Sequence, residues 1–395
     1  MFYGRKLKTT LLATALLTAA SAFAANEATI EFNVAAPQLN AQTYILMDYH
    51  TGAVLAAKDP DQRQAPASLT KIMTSYVVGD AIKQGKIRND DMVTVSENAW
   101  GRNFPGSSKM FLNVNQQVSV SDLNHGIIIA SGNDACVAIA EHIAGTEQNF
   151  INIMNQYVQK FGLQNTRFAT VHGLDAENQY SSARDMAIMA SHMIRDLPEE
   201  YAIHSQKEFT FNKIKQQNRN GLLWDKTLKV DGVKTGHTDQ AGYNLVSSAV
   251  DGNTRFVTVV MGVPTIKGRE VETKKLLQWG FNNFETLKPL NAGTVVSEQT
   301  IYYGKENKAK LGVIEDGYIT VPKGKQADLK ARYELTQKYL EAPLQKGDVV
   351  GQVIYQLDGK DVAKINLQVL EPVEEAGFFG KIIDWIILTV KSLFS

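Results

Sequence analysis

The feature that most constrains this chain is where its β-branched runs fall. "TYILMDYHTGAVLAAK" (43–58) reads as two strands around a His-Thr-Gly turn. "VDGVKTG", "YNLVSSAV" and "TRFVTVVMGV" read as three more between 230 and 263, with Asp251-Gly252 turning the last pair. Between the two groups, over roughly 66–200, apolar residues recur at helical spacing in "ASLTKIMTSYVVGDAIKQGK", "VSDLNHGIIIAS", "NDACVAIAEHIAG" and "EQNFINIMNQYVQKFG". Strands from both ends must therefore meet around a helical middle. That predicts an α/β (α+β) fold in which an antiparallel sheet is covered by helices. "GREVETKKLLQWGFNNFETL" reads as the closing helix, with Val271, Leu277, Phe281 and Phe284 on one side.

From about residue 290 the pattern changes. "TIYYG", "YITVP", "ARYEL", "VVGQVIYQLDG" and "KINLQVLE" alternate as strands, with turns at Asp316-Gly317 and Asp358-Gly359. This predicts a small all-β domain. The final "EEAGFFGKIIDWIILTVKSLFS" places Phe379, Ile382, Ile383, Ile386, Val390, Leu393 and Phe394 on one helical face, with Lys381, Asp384, Lys391 and Ser392 largely opposite. It is short and charged for a span, which predicts an interfacial helix. At the other end, Arg5, Lys6 and Lys8 precede the apolar "TTLLATALLTAASAF" and the small-x-small Ala22-Phe23-Ala24, the pattern of a secretory leader cleaved after about Ala24. The expected organisation is a leader over 1–24, a catalytic domain over 25–288, a β domain over 289–373 and an anchor helix over 374–395.

Lys+Arg and Asp+Glu balance at 41 each, which argues against a nucleic-acid partner. No His-x-x-x-His pair, cysteine cluster or glycine-rich phosphate loop occurs in the sequence, so neither metal nor nucleotide cofactor is expected. The single cysteine, Cys136, reads as a small core side chain.

The chemistry points to "APASLTKIMTSYVV". Ser68 is the only serine with a lysine, Lys71, three positions on, and residues three apart share a helix face. Pro66 and Ala67 place Ser68 in the first turn of a helix, where backbone N–H groups are unpaired and could stabilise an oxyanion. Ser131-Gly132-Asn133 follows the apolar "GIIIA", and Lys234-Thr235-Gly236 ends the strand-like "VDGV". Ser-x-x-Lys, Ser-x-Asn and Lys-Thr-Gly together form the motif set of class A β-lactamases and penicillin-binding proteins. A second Ser-x-Asn, Ser96-Glu97-Asn98, lies only 28 positions after Ser68 and lacks a flanking apolar helix, so Ser131 is preferred.

On these residues, and on "SGNDACVA", "VHGLDAENQYSSARDMA", "QQNRNGLLWDKTLKVDGVKTGHTDQAGYNLV" and "KGREVETKKLL", the chain resembles the low-molecular-mass penicillin-binding proteins that are D-alanyl-D-alanine carboxypeptidases of the penicillin-binding protein 5/6 type. The resemblance runs from about residue 28 to the final helix. Gly132 stands where the general motif has Asp, as is common in this carboxypeptidase group.

The resemblance implies that Ser68 attacks the D-Ala-D-Ala carbonyl to form an acyl-enzyme, with Lys71 as base. Ser131 would relay a proton to the leaving amine. Asn133 would bind the substrate peptide, and Lys234 would orient Ser131. Thr235 and Gly236 would lie along the substrate, and the N–H groups of Ser68 and His237 would form the oxyanion hole. Arg269 is the first choice for the terminal carboxylate and Arg219 the second. His172 is expected to structure a loop rather than serve as base. The implied substrate is the peptidoglycan pentapeptide, with β-lactams as covalent inhibitors, at the periplasmic face of the bacterial inner membrane.

Two other readings compete with this one. A class A-like β-lactamase needs a glutamate for deacylation, and the only Glu-x-x-x-Asn in the relevant stretch, Glu208 to Asn212, sits in a strand-like "EFTFN". A non-catalytic peptidoglycan-binding protein would have no need of Ser68 and Lys71.

Overall fold

The computed structural model describes residues 34–393. The expected leader over 1–24, and Phe394 of the tail, lie outside the described residues.

Strands from the two ends of the first unit do meet. β1 (Thr43–Asp48) and β2 (Val54–Lys58) form the hairpin read from the sequence. After the helical middle, which includes a small antiparallel pair, β3 (Met92–Thr94) with β4 (Gln117–Ser119), and after a hairpin of β5 (Glu208–Phe211) with β6 (Ile214–Gln217), the chain returns as β7 (Val230–Thr238), β8 (Gly242–Asp251) and β9 (Thr254–Val263). The sheet order is β2-β1-β9-β8-β7, with β1 antiparallel to β9 from Thr43↔Met261 to Asp48↔Phe256. β7 is thus an edge strand.

Side-chain alternation assigns the two faces of this sheet. Ile45 and Met47 of β1, with Val257 and Val259 of β9, join the core under the helical cluster. Tyr44 and Leu46, with Phe256 and Val260, join a second core under α7 (Ile266–Asn283). The helical side is built from α1 (Lys71–Lys83), α2 (Val120–His125), α3 (Asn133–Ala144), α4 (Glu147–Lys160), α5 (Ala183–Asp196) and α6 (Pro198–His204).

α7 corrects one expectation. Val271 is half exposed, and Phe284 opens the next strand, β10 (Phe284–Leu290). The buried stripe is Arg269, Thr273, Leu276, Leu277 and Gly280, which is the true helical spacing. Gly280 sits so close to the sheet that a Cβ there would lie 2.7 Å from Leu46 and 3.0 Å from Phe256. A glycine at the contact thus fixes which side faces inward, and a count of large apolar residues overlooks it.

β10 pairs with β13 (Gly317–Pro322) across the junction to the second domain, which adds β11 (Val295–Tyr302), β12 (Lys308–Gly312), β14 (Lys330–Leu335), β15 (Leu340–Glu341), β16 (Val349–Leu357) and β17 (Lys360–Val369). Its own core centres on Leu311, Ile319, Val321, Leu367 and Val369. At the junction the fully buried Asp48 carboxylate accepts from its own turn, His50 N at 2.8 Å and Thr51 N at 3.2 Å, and from Thr286 of β10 and Thr320 of β13.

α8 (Phe378–Leu393) ends the described chain. Its Asp384 accepts from Tyr303 N, and its Lys391 Nζ donates to Tyr302 Oη at 2.7 Å, so these polar groups turn towards the β domain. Phe378, Phe379, Trp385 and Leu393 are 61–80% exposed, which leaves an apolar surface outward. No helix among the described residues is long and apolar enough to cross a membrane.

Candidate active site

Ser68 lies in a 3₁₀ turn, Ala67–Thr70, that runs directly into α1. The turn is pressed against β7: a Cβ on Gly236 would meet the Pro66 carbonyl oxygen at 2.8 Å and Leu69 N at 3.2 Å. Only glycine allows that approach, and it brings the edge of β7 beside the nucleophile.

Lys71 begins α1 and is completely buried. Its Nζ lies 3.0 Å from Ser68 Oγ, 2.7 Å from Asn133 Oδ1 and 2.6 Å from the His172 carbonyl oxygen. Burial lowers its pKa to about 8; Cys136 opposes this, Arg219 adds to it, and Asp134 opposes it least.

Ser131 follows a π turn, Gly126–Ala130, and sits in the left-handed region at φ 58°, ψ 36°. A non-glycine residue there is strained and held by its surroundings. Gly132 N donates to Gly126 O at 2.9 Å, and Asn133 N to Ser108 O at 2.9 Å. The buried Asp134 carboxylate takes Met110 N at 2.8 Å and Leu112 N at 3.0 Å, tying the loop that carries Ser107 and Ser108 to the start of α3. Ser107 Oγ in turn accepts from Asn133 Nδ2 at 3.0 Å.

Lys234, buried on β7, donates to Ser131 Oγ at 3.0 Å. Burial pushes its pKa well down, and Lys71, Arg219 and Arg269 push it the same way. Thr235, Gly236 and His237 follow along the edge, with the His237 ring stacked on Tyr243 at 4.0 Å between centroids. Alternate backbone groups of an edge strand point away from its single partner. Arg269 is 6% exposed, its Nε has no hydrogen-bond partner among the described residues, and its guanidinium donates to Arg219 O at 3.4 Å.

These groups share one cleft of about 790 Å³, lined by Ser68, Ser107, Ser131, Asn133, Arg219, Thr235, Gly236, His237 and Arg269 among others. Lys71 and Lys234 lie buried beside it, each bonded to one of its serines. Arg219 and Arg269 put two guanidinium groups in its lining, a geometry that suits a substrate ending in a carboxylate. Ser96 is elsewhere, bonded to Glu141. Glu208 is also outside the cleft, on the β5–β6 hairpin, paired with Lys215 at 2.7 Å.

His172 structures a loop in a way that bears on catalysis: its carbonyl, rather than its ring, holds Lys71. The ring Nδ1 accepts from Leu174 N at 3.1 Å, and burial, with Lys71 nearby, lowers its pKa to about 3. The carbonyl leaves no mark in the sequence because a backbone acceptor has no residue signature, and the Ser107–Asn133 contact leaves none because only the fold brings residues 26 positions apart together.

Residues 30–265 match a family described as D-alanyl-D-alanine carboxypeptidase, and residues 284–375 match one described as the C-terminal domain of penicillin-binding protein 5. The chain is 67% identical to the D-alanyl-D-alanine carboxypeptidase DacA of Haemophilus influenzae over 95% of its length and 96% of the relative's. It is 53% identical to DacA of Escherichia coli K12, over 98% of this chain and 97% of that one. The crystal structure of penicillin binding protein 5 from Haemophilus influenzae superposes with a TM-score of 0.84 at 68% identity, covering 87% of this chain and all of that one.

Proposed function

The chain belongs to the D-alanyl-D-alanine carboxypeptidase family and is a serine-type hydrolase of peptides ending in D-Ala-D-Ala; we propose that Ser68 is its nucleophile and Lys71 its general base. One observation carries this assignment. An uncharged Lys71 has two N–H bonds and one lone pair. Asn133 Oδ1 and the His172 carbonyl can only accept, so they take the two N–H bonds. The lone pair is left facing Ser68 Oγ, 3.0 Å away. Ser68 then gives its proton to Lys71 as its oxygen attacks the penultimate D-alanine carbonyl.

The remaining roles follow from position. The peptide lies along the β7 edge beside Thr235 and Gly236, and Asn133 holds it from the opposite wall. The N–H groups of Ser68 and His237 receive the developing oxyanion. Arg269 binds the terminal carboxylate, supported by Arg219. Ser131, bonded to Lys234, passes a proton to the departing D-alanine amine. The Ser68 ester is then hydrolysed, and Lys71 and Ser131 are the groups placed to activate that water. A β-lactam offers a similar carbonyl and carboxylate and acylates the same serine. Its amine stays tethered after ring opening and obstructs water, so the penicilloyl enzyme persists.

The natural substrate is the peptidoglycan stem pentapeptide. An N-terminal leader exports the chain, and α8 rests its apolar side on the periplasmic face of the inner membrane, with the catalytic domain reaching towards the wall. The exposed Phe378, Phe379 and Trp385 support that placement.

Lys71→Met tests the base. Acylation by a fluorescent penicillin and D-alanine release should fall together by a factor of about 10² or more while the fold persists. Acylation at the normal rate would refute the assignment.

A further inference from the structure

The orientation of Lys71 depends on the His172 carbonyl, yet His172 lies in a stretch without helix or strand, between residues 170 and 179. Something other than a ladder must fix that oxygen. The group that does so is the side-chain amide of Gln179, which is 9% exposed. Its Oε1 accepts from Thr170 N at 2.9 Å, Thr170 Oγ1 at 2.8 Å and Ala169 N at 3.2 Å. Its Nε2 donates to Leu174 O at 2.8 Å. One side chain thus clasps the loop on both sides of His172. Thr170 Oγ1, having given its hydrogen to Gln179, accepts from Gly173 N at 3.0 Å and closes a ring around Val171, His172 and Gly173.

The inner side of the loop is already blocked. Gly173, at φ +90°, packs so tightly that a Cβ would fall 1.9 Å from Ala67 O, and Thr74 Oγ1 donates to Val171 O at 2.6 Å. The segment cannot move towards Ser68. Its freedom is outward, away from Lys71, and Gln179 closes that direction together with the Thr74 bond to Val171 O and the Phe104 ring packed edge-on against His172.

We propose that Gln179 is a positioning residue for acylation, holding the His172 carbonyl against Lys71 so that the lysine lone pair stays aimed at Ser68. The proposal rests on Lys71 being the base. Gln179 is not among the residues lining the cleft, so it has no direct part in binding substrate.

A merely structural residue and a positioning one differ in the pH profile. The charged and titratable groups facing Lys71 are Asp134 and Cys136 on α3, Lys234 on β7, Arg219 across the cleft, and His172 with Glu147 behind it at 4.0 Å. Truncating Gln179 changes none of them. It releases only the carbonyl, which bonds an ammonium more strongly than a free amine. Loss of that acceptor therefore makes Lys71 easier to deprotonate while leaving it misaligned.

The experiment measures the second-order rate of penicillin acylation between pH 6 and 10 on the membrane-bound, full-chain enzyme. Gln179→Ala should lower the alkaline plateau about tenfold or more and move the acid limb to lower pH. Thr170→Val, a milder change that removes the hydroxyl contacts to Gln179 and Gly173, should move the limb the same way; Thr170→Ser should restore both plateau and limb. Normal rates in Gln179→Ala and Thr170→Val would overturn the proposal. So would a loss by one factor at every pH with the limb unmoved, since that reports lost folded enzyme. Lys71→Met, run alongside, separates the two claims: if it still acylates, the base assignment fails; if it is inactive while Gln179→Ala is normal, only the role of Gln179 fails.

Discussion

The acid limb of acylation should follow Lys71, near pH 8. Lys71 has no salt-bridge partner among the described residues; burial, more than any other influence, takes it from an ordinary 10.5 to about 8. The effect at neutral pH is large. At pH 7 a lysine of pKa 10.5 is a free base in about one molecule in 3,000, and one of pKa 8 in about one in ten. Burial thus raises the reactive fraction about 300-fold, equivalent to about 3 kcal/mol of barrier. The sign follows from the role: the free base is the active form, so the rate rises tenfold per pH unit below 8 and levels above it. The assay is the second-order acylation rate, which reports ionisation of the free enzyme. Arg219→Gln, which removes a positive charge that favours the free base, should move the limb to higher pH. The His172 ring, held near 3, stays neutral throughout and contributes no limb. A limb near pH 6.5, or one unmoved in Arg219→Gln, would refute the reasoning.

Three further outcomes are expected. Gly236→Ala drives a methyl to 2.8 Å from the Pro66 carbonyl and must part β7 from the Ser68 turn, so acylation should fall more than about tenfold with a stable fold; a normal rate would show that the close approach is dispensable. Asp48→Ala leaves Thr286, Thr320 and two backbone N–H groups at the domain junction without their acceptor, and calorimetry should register a loss of about 3 kcal/mol, with unchanged stability the refuting result. Deleting residues 377–395 should release the protein from membranes with its turnover of a soluble peptide intact; continued sedimentation with membranes would place the anchor elsewhere.

What the sequence disclosed followed from regular spacing. β1, β8 and β9 were readable because their apolar residues are continuous and their turns are marked, as at Asp251-Gly252. Ser68 and Lys71 were readable because three residues of helix bring them to one side, and the structure finds them 3.0 Å apart. The buried face of α7 is hidden from a count of apolar residues because Gly280, a residue with no side chain, packs closely against the sheet. The short β12 and β15 give no sequence signal, since five and two residues are too few to establish an alternation. The acceptor for Lys71 was not visible at all, because it is a carbonyl placed by a loop that Gln179 holds from within. Periodicity reports elements, whereas the base is oriented by hydrogen bonds between residues 71, 133 and 172, whose adjacency only the fold creates.

The most direct test of the central claim is to react the protein with a penicillin, digest it and locate the added mass, while following D-alanine release from a peptide ending in D-Ala-D-Ala in the same preparation. One penicilloyl group per chain is expected on the peptide containing Ser68, with no label in Ser68→Ala and loss of D-alanine release in proportion to labelling. A label on another serine, or D-alanine release that continues after Ser68 is fully acylated, would contradict it.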